Sequence, residues 1–528
     1  MSRLITANAL RQMILDADEL ALTDVREEAV FGRGHLLHAC NIPLSRLELR
    51  LADLVPRRSV RIVLCDGGEG LAEKAAERLS HFGYDDPSVL EDGIQAWADA
   101  GYELFSGINV PSKAFGEFVE HQYSTPAITA QELKTKIDGG EDLVILDSRP
   151  LDEYRVMNIP GGVCVPGAEL VYRVHDIAPS PSTLLVVNCA GRTRSIIGAQ
   201  SLINAGIANK VVALWNGTMG WHLAGFELEH DMDRRAPAIS PENLSKARAT
   251  AAEVGKRFGV KTIDTATLDG WKRDIDKRAL YLLDVRNPEE YEAGHLPGSR
   301  SAPGGQLVQA TDRYVGILKS RIVLIDDTGV RATMTASWLN QMGWPDVAVL
   351  ENALQGIELE KGLPKSSVLA NDSNTIDELS PAELAQVTAG GVNIVDLSGS
   401  RNYKQRHIPG SWFALRSRLD ADLDKLPSTP LIVLTSENGT LARIAAEEVT
   451  ALTDTTVKVL AGGNAAWAAA GLPFAHGFEN MASEPDDAWQ RPYDRDSGAE
   501  DAMREYLSWE IDLVKQIERD RTARFGIV

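Results

Sequence analysis

The sequence predicts an α/β protein of four similar domains, each an open, mainly parallel sheet flanked by helices, followed by a helical C-terminal tail. Three observations support this prediction. The chain has 528 residues, which is too long for one hydrophobic core. A short apolar strand that ends in aspartate occurs four times. A second apolar strand, a glycine-bearing turn and a helical stretch follow each of these strands, and this alternation is typical of parallel sheets.

The repeated strands set the order of each unit. The first strands are Leu20 to Asp24, Leu143 to Asp147, Leu280 to Asp284 and Val392 to Asp396. The second strands are Arg61 to Leu64, Leu184 to Val187, Arg321 to Leu324 and Leu431 to Leu434. Three units close with a tryptophan and, four residues later, a glycine: Trp97 and Gly101, Trp221 and Gly225, Trp467 and Gly471. The period of about 110–140 residues indicates duplicated whole domains rather than a solenoid.

The predicted domains span 1–105, 125–230, 262–365 and 375–476, and 477–528 forms an acidic tail with an amphipathic helix. The apolar connector from Lys113 to Val119 is expected to pack. A helix is predicted from Pro241 to Phe258, after Ser240 as its cap. Ser366 to Thr375 reads as a polar linker. The tail helix, Ala499 to Arg521, is expected to dock on the chain through side chains at helical spacing: Met503, Tyr506, Leu507, Ile511, Val514 and Ile517.

Composition excludes several classes of function. The net charge of −21 argues against nucleic acid or an anionic membrane as a partner. No run of about 18 apolar residues predicts a membrane span. The four cysteines are Cys40, Cys65, Cys164 and Cys189. They are too few for a disulfide framework and show no zinc-ligand spacing, so a reducing cytoplasm is the predicted location.

One of the four cysteines lies at a strand-to-helix turn, a position typical of a nucleophile. Cys189 lies between an apolar strand and a helical stretch, at the head of a seven-residue run. The run is Cys189, Ala190, Gly191, Arg192, Thr193, Arg194 and Ser195. Backbone N–H groups, the helix dipole and two arginines are expected to favour the thiolate and to bind an anion beside it. The sequence therefore predicts Cys189 as a nucleophile and the six residues after it as the substrate-binding loop.

Register along the repeats separates this cysteine from the others. Cys189 follows Asp147 by 42 residues, and the same step in the first and third units reaches Asp66 and Asp326. Matching strand ends places Ser436 there in the fourth unit. Cys65 falls one residue early, so it is predicted to pack in the core, as are Cys40 and Cys164. One active site in four domains is expected.

These motifs together resemble the rhodanese (thiosulfate sulfurtransferase) family over about residues 1–475. They are the strand-Asp-x-Arg element, the cysteine loop, the closing tryptophan and glycine, and a Glu-Tyr to His-x-Pro-Gly run. That run is clearest from Glu290 to Gly298. The resemblance implies five-stranded parallel sheets with the active loop at the carboxyl edge. Asn158 replaces the histidine of other units, so no base is expected there. Asp147 and Arg149 recur in units without the cysteine and are predicted to form a structural ion pair.

The resemblance also implies a reaction. Cys189 would take sulfane sulfur from thiosulfate or a related donor and pass it, as a persulfide, to a thiol or cyanide acceptor. The amides from Ala190 to Ser195 would cradle the persulfide, and Arg192 and Arg194 would hold the sulfonate. No metal or organic cofactor is required. The expected partners are these small molecules and, as one expected assembly, a second copy of the chain.

The residues alone leave two other functions open. A sulfur carrier or scaffold would use the three cysteine-less domains as docking surfaces. A cysteine-dependent phosphatase would need an arginine six places after the cysteine, whereas Arg194 stands five places after Cys189.

Overall fold

The computed structural model describes residues 3–363, 365–369, 376–387 and 391–526. Within these residues, four five-stranded sheets share one strand order. In each sheet the fourth strand of the unit lies at the centre, between the second and fifth, and neighbouring strands pair in parallel. The predicted fold of four α/β domains and a helical tail is confirmed, and the units are numbered domains 1 to 4 along the chain.

Domains 1 and 2 each contain five strands and five helices among the described residues. Domain 1 comprises β1 Arg3–Ile5, α1 Ala7–Leu15, β2 Leu20–Asp24, α2 Glu28–Phe31, β3 Cys40–Asn41, α3 Leu47–Leu54, β4 Arg61–Cys65, α4 Leu71–His81, β5 Ser88–Leu90 and α5 Gly93–Asp99. The connector helix α6, Val110–Tyr123, follows. Domain 2 comprises β6 Ala127–Ile128, α7 Ala130–Asp138, β7 Leu143–Asp147, α8 Leu151–Val156, β8 Val163–Cys164, α9 Glu169–Ile177, β9 Leu184–Asn188, α10 Thr193–Asn204, β10 Val211–Leu214 and α11 Gly217–Leu223.

The second half repeats this order, except that no α-helix follows the fifth strand of domain 3 among the described residues. The connector helix α12, Pro241–Arg257, confirms the predicted helix, and the Ser240 hydroxyl accepts from the Asn243 amide at 3.3 Å as its cap. Domain 3 comprises β11 Lys261–Ile263, α13 Thr265–Arg273, β12 Leu280–Asp284, α14 Pro288–Ala293, β13 Arg300–Ser301, α15 Gly304–Gln309, β14 Arg321–Ile325, α16 Val330–Gln341 and β15 Asp346–Leu350. Domain 4 comprises β16 Glu378–Leu379, α17 Pro381–Val387, β17 Val392–Asp396, α18 Ser400–Gln405, β18 Trp412–Phe413, α19 Leu419–Asp422, β19 Leu431–Thr435, α20 Thr440–Leu452, β20 Thr456–Leu460 and α21 Gly463–Ala469. Residues 370–375 of the predicted linker lie outside the described residues.

The aspartate that ends the first strand is held by an arginine two residues later. In domain 2, Arg149 donates to both Asp147 oxygens, at 2.8 and 2.6 Å, and to the Met157 carbonyl at 2.6 Å. Both side chains are buried. The same pair forms in domains 1 and 3. The pair is therefore structural, as predicted, because it ties the strand end to the turn after the next helix.

The domains also contact one another around the cysteine loop. Domains 2 and 3 meet where Gly167 faces Gly305, so closely that a Cβ on Gly305 would lie 2.8 Å from the Gly167 amide. Across this contact Arg194 of domain 2 donates to Gln306 at 2.9 Å, and Arg331 of domain 3 donates to Glu169 at 2.8 Å. Each domain thus supplies a side chain to the equivalent loop of the other.

The tail helix α22, Ala499–Asp520, packs on α6 and carries its residues to the cysteine loop. Docking within the chain is confirmed. The predicted stripe is wrong at Ile511, which is 42% exposed, because the buried face runs one position earlier. That face holds Met503, Leu507, Glu510 and Leu513. No described helix is both long and apolar enough to cross a bilayer.

Candidate active site

Cys189 follows the last residue of the central strand β9 and begins the loop into α10. Its side chain is 3% exposed, and the Ser195 hydroxyl donates to the sulfur at 3.2 Å. The loop is anchored from α11, because the Thr218 amide donates to the Cys189 carbonyl at 2.8 Å and the Met219 amide to the Ala190 carbonyl at 2.9 Å. The sulfur is therefore fixed at the carboxyl edge of the sheet.

A glycine makes this anchoring possible. Gly217 has a φ of +55°, and a Cβ built on it would lie 2.2 Å from the Cys189 carbonyl oxygen. A residue with a side chain would suffer both the left-handed backbone and the clash. Gly463 repeats the arrangement in domain 4, with a φ of +60° and a Cβ position 2.1 Å from the Ser436 carbonyl oxygen. The close approach belongs to the repeated fold and does not depend on the cysteine.

The sister loops reveal what this turn binds. The position equivalent to Cys189 accepts from the amide six residues later: Asp66 from Ala72 at 3.0 Å, Asp326 from Ala332 at 3.3 Å and Ser436 from Ala442 at 3.3 Å. Asp66 also accepts from the Gly68 amide at 2.9 Å, and Asp326 from the Thr328 amide at 3.2 Å. The predicted register is confirmed. In two of the four domains the turn holds a carboxylate, so its amides form an anion cradle.

Arg192 turns toward the connector helix α6. It donates to both carboxylate oxygens of Glu117, each at 2.7 Å, and also bonds Glu120. Its guanidinium carbon lies 4.0 Å from the centre of the Trp215 ring. Helix α6 approaches this closely because Gly116 faces Thr193, where a Cβ would lie 2.7 Å from the threonine methyl. Arg192 therefore joins the loop to the connector, and two carboxylates balance its charge.

Arg194 is likewise paired. It donates to both oxygens of Glu153, at 3.0 and 2.7 Å. Although burial raises the pKa of Glu153, Arg194 lowers it to about 2. In domain 3 the equivalent Arg331 binds the equivalent Glu290 at 2.6 Å although that domain lacks the cysteine. The pairing of Arg194 with Glu153 is thus a feature of the repeat.

The expectation that the loop lowers the pKa of Cys189 is wrong for this closed pocket. Burial raises the pKa of the Cys189 thiol, and this effect outweighs the opposing effects of Arg194 and of the Ser195 hydrogen bonds. The charge of Glu510, from the tail helix, raises it further. The physical reason is that the thiol is enclosed by protein, so loss of water disfavours the thiolate. Ionisation of Cys189 therefore depends on the charges that face the cavity.

A cavity of about 200 Å³ opens above Cys189. Its wall includes residues that the sequence did not assign to the site: Lys113 from α6, Gln306 from domain 3, and Arg491, Tyr506 and Glu510 from the tail. Thr193 and Tyr506 donate to one Glu510 oxygen, at 3.3 and 3.0 Å, while Oε2 has no hydrogen-bond partner among the described residues. Burial raises the pKa of Glu510. The signal for Glu510 was a carboxylate on the apolar stripe of an amphipathic helix.

The remaining cysteines lie away from this cavity. Cys65 ends β4 opposite Asp24, as Asn188 ends β9 opposite Asp147. It is fully buried, and burial raises its pKa well above the ordinary thiol value. Burial also raises the pKa of Cys40 and of Cys164 to about 12. All three are packing residues, as predicted.

Comparison with known proteins identifies the family. The model of the rhodanese-like domain matches residues 6–100, 129–224, 267–360 and 380–470, more than half of the chain. The chain belongs to the rhodanese-like family. This confirms the resemblance that the motifs indicated, and each matched segment contains the second to fifth strands of one sheet.

Similar proteins cover both the whole chain and single domains. The crystal structure of a thiosulfate sulfurtransferase from Pseudomonas aeruginosa is 49% identical, with a TM-score of 0.97 and 100% of each chain covered. A sulfurtransferase from Allochromatium vinosum is 28% identical over 19% of this chain and 92% of its own. A putative sulfur carrier protein, YrkF, from Bacillus subtilis is 25% identical over 35% of this chain and 90% of its own. The first of these shares the arrangement of all four rhodanese-like domains.

Proposed function

We propose that the protein is a sulfurtransferase that moves sulfane sulfur from thiosulfate, or a related thiosulfonate or persulfide, through a Cys189 persulfide to cyanide or a thiol. The observation that carries this proposal is the anion cradle. The same turn holds carboxylates at Asp66 and Asp326, and only in domain 2 does a cysteine occupy that position. A persulfide anion on Cys189 would place its terminal sulfur among these amides.

The two half-reactions are simple displacements. The Cys189 thiol first loses its proton to solvent. The thiolate then attacks the sulfane sulfur of thiosulfate, a new S–S bond forms, and the bond to the sulfonate breaks as sulfite leaves with the electron pair. Cyanide then attacks the outer sulfur of the persulfide, thiocyanate leaves, and the thiolate is restored. Charge and atoms balance in both steps, and the cysteine itself carries the sulfur. The predicted residues Ala190 to Ser195 supply the surrounding amides and the Ser195 hydroxyl.

The comparisons support the class of reaction. The full-length relative from Pseudomonas aeruginosa carries the name thiosulfate sulfurtransferase. The name of the Bacillus relative supports sulfur carriage as the second candidate. The pairing of Arg194 with Glu153, together with its position one residue short of the phosphatase spacing, disfavours phosphate esters as substrates. A reducing cytoplasm stays the predicted location. A second copy of the chain stays a predicted partner.

Turnover of thiosulfate and cyanide to thiocyanate tests the proposal. We expect Cys189→Ser to fall to the uncatalysed background, whereas Cys65→Ser, the matched control at the end of β4, keeps wild-type turnover. Equal loss in both variants would refute the assignment. Mass spectrometry after treatment with thiosulfate should find one added sulfur atom on Cys189. A labelled protein without turnover would favour the carrier function, and phosphate release from an aryl phosphate would favour a phosphatase.

A further inference from the structure

Two cations face the Cys189 cavity without a salt bridge to any carboxylate of the described residues. Lys113, from α6, is 3% exposed, and its Nζ lies 5.4, 5.0 and 4.9 Å from the ring centres of Trp489, Tyr506 and Trp509. The Arg491 side chain makes one hydrogen bond within the described part of the chain, to the Tyr493 hydroxyl at 3.3 Å. No described carboxylate lies within 4 Å of either cation. Burial lowers the pKa of Lys113 to about 8, which a bound anion would reverse.

The other cations at this cavity are already paired. Arg192 is held by Glu117 and Arg194 by Glu153, as described above. Arg313 binds Glu28 at 2.7 Å, and Arg401 donates to the Trp489 carbonyl at 2.7 Å with Asp494 at 3.8 Å. An incoming anion that bound Arg192 or Arg194 would have to displace a carboxylate from a bidentate bond. An anion that bound Lys113 or Arg491 would displace no carboxylate from such a bond.

Two of the three carboxylates at the cavity are already paired. Of its three carboxylates, Glu28 and Glu153 are bonded to arginines. The third, Glu510, accepts from Thr193 and Tyr506 through one oxygen, and its Oε2 has no partner among the described residues. The unpartnered oxygen of a fully buried side chain is thus a second observation that indicates a polar ligand here.

The position of the cradle decides which part of a donor reaches these groups. The loop amides take the atom attached to Cys189, which is the sulfane sulfur in the proposed reaction. The oxygen-bearing end of the donor must then extend into the cavity. We propose that Lys113 and Arg491 form an oxyanion subsite that receives the sulfonate of the donor and the sulfite that leaves. This subsite rests on the proposed function and replaces the role that the sequence assigned to Arg192 and Arg194.

Both residues of the subsite come from segments outside domain 2. Lys113 belongs to the connector between domains 1 and 2, and Arg491 belongs to the tail that follows domain 4. Trp489, which covers Lys113, lies against domain 1, where its ring fills the space beside Gly32 and its amide donates to Glu28 at 3.1 Å. The tail also bonds domain 4 through Arg401 and the Trp489 carbonyl. Domains 1 and 4, which lack the cysteine, thereby hold the oxyanion subsite over the active cysteine of domain 2.

Binding without turnover tests the subsite directly. In a Cys189→Ser background, titration calorimetry with thiosulfate should show the dissociation constant rising about tenfold or more in Lys113→Met and in Arg491→Gln, since each removes a charged hydrogen-bond donor. Lys515→Met, an exposed lysine on the same tail helix, is the control for loss of one charge and should bind as the parent does. Unchanged binding in both subsite variants would overturn the proposal.

Steady-state kinetics separates this proposal from the proposed function. With Cys189 intact, the KM for thiosulfate should rise about tenfold in each variant, and the KM for the monoanionic donor methanethiosulfonate should rise less. The dependence on cyanide should stay unchanged. Equal loss with both donors would refute an oxyanion subsite while leaving sulfur transfer intact. Absence of thiocyanate formation by the wild type with either donor would instead refute the proposed function.

Discussion

The close approach of Gly217 to Cys189 leads to a prediction for which another domain of the same chain supplies the matched control. In Gly217→Ala, the new Cβ would stand 2.2 Å from the Cys189 carbonyl oxygen at a φ of +55°. The left-handed backbone costs about 1–2 kcal/mol, and relief of the clash adds about 1–3 kcal/mol, as in overpacked cores. We therefore expect a loss of about 2–5 kcal/mol in stability and a displaced cysteine peptide.

Gly463→Ala is the matched control. Its Cβ would stand 2.1 Å from the Ser436 carbonyl oxygen at a φ of +60°, in a domain without the cysteine. Thermal melts should fall by similar amounts in the two variants, because the strain is the same. Only Gly217→Ala should lose kcat for thiocyanate formation, because only there does the strained carbonyl belong to the nucleophile.

Two outcomes would refute this reasoning. Wild-type kcat in Gly217→Ala would mean that the loop does not need its anchor on α11. Equal loss of kcat in Gly463→Ala would mean that the effect is general destabilisation and not displacement of the nucleophile.

Two further predictions concern charge at the cradle. Burial and then the Glu510 charge raise the pKa of Cys189, so Glu510→Gln should shift the pH profile of Cys189 alkylation by iodoacetamide to lower pH. Glu505 is exposed on the same helix, and Glu505→Gln should leave the pH profile unchanged. A shift to higher pH in Glu510→Gln would contradict the assigned charge effect. Cys189→Asp should abolish turnover yet melt no lower than Cys189→Ala, because its carboxylate can accept the loop amides as Asp66 does. A lower melting temperature than that of Cys189→Ala would argue against the anion cradle.

Local patterns in the sequence were sufficient to predict the fold and the identity of the nucleophile. Strand-Asp-x-Arg elements recur at near-constant spacing, so alternation and register could be counted along the sequence. The count separated Cys189 from Cys65 because one residue along a strand reverses the side on which a side chain lies. The same count located Asp66 and Asp326, whose carboxylates now indicate what the turn binds.

The protonation state of Cys189 could not be predicted by counting along the sequence. Two arginines beside a cysteine predict a thiolate only if nothing opposes them, and burial together with the charge of Glu510 raises the pKa of Cys189 instead. The tail helix brings Glu510 to the loop, and the connector helix brings Glu117 and Glu120 to Arg192, through contacts that the repeat pattern does not encode. The apolar stripe of the tail was displaced by one position for a similar reason. Packing against α6 buries Leu513 and leaves Ile511 exposed.

The amino-acid order alone thus determined four α/β domains, one cysteine at a strand-to-helix turn and the absence of that cysteine from the sister turns. These properties depend on neighbours in sequence and on a fixed period. Only the tertiary structure decided which cations remain unpaired around that cysteine. Lys113 and Arg491 stand on a connector and a tail, and long-range packing brings both to one cavity with Cys189. Burial and ion pairing, which set the charge of every group there, are properties of that packing.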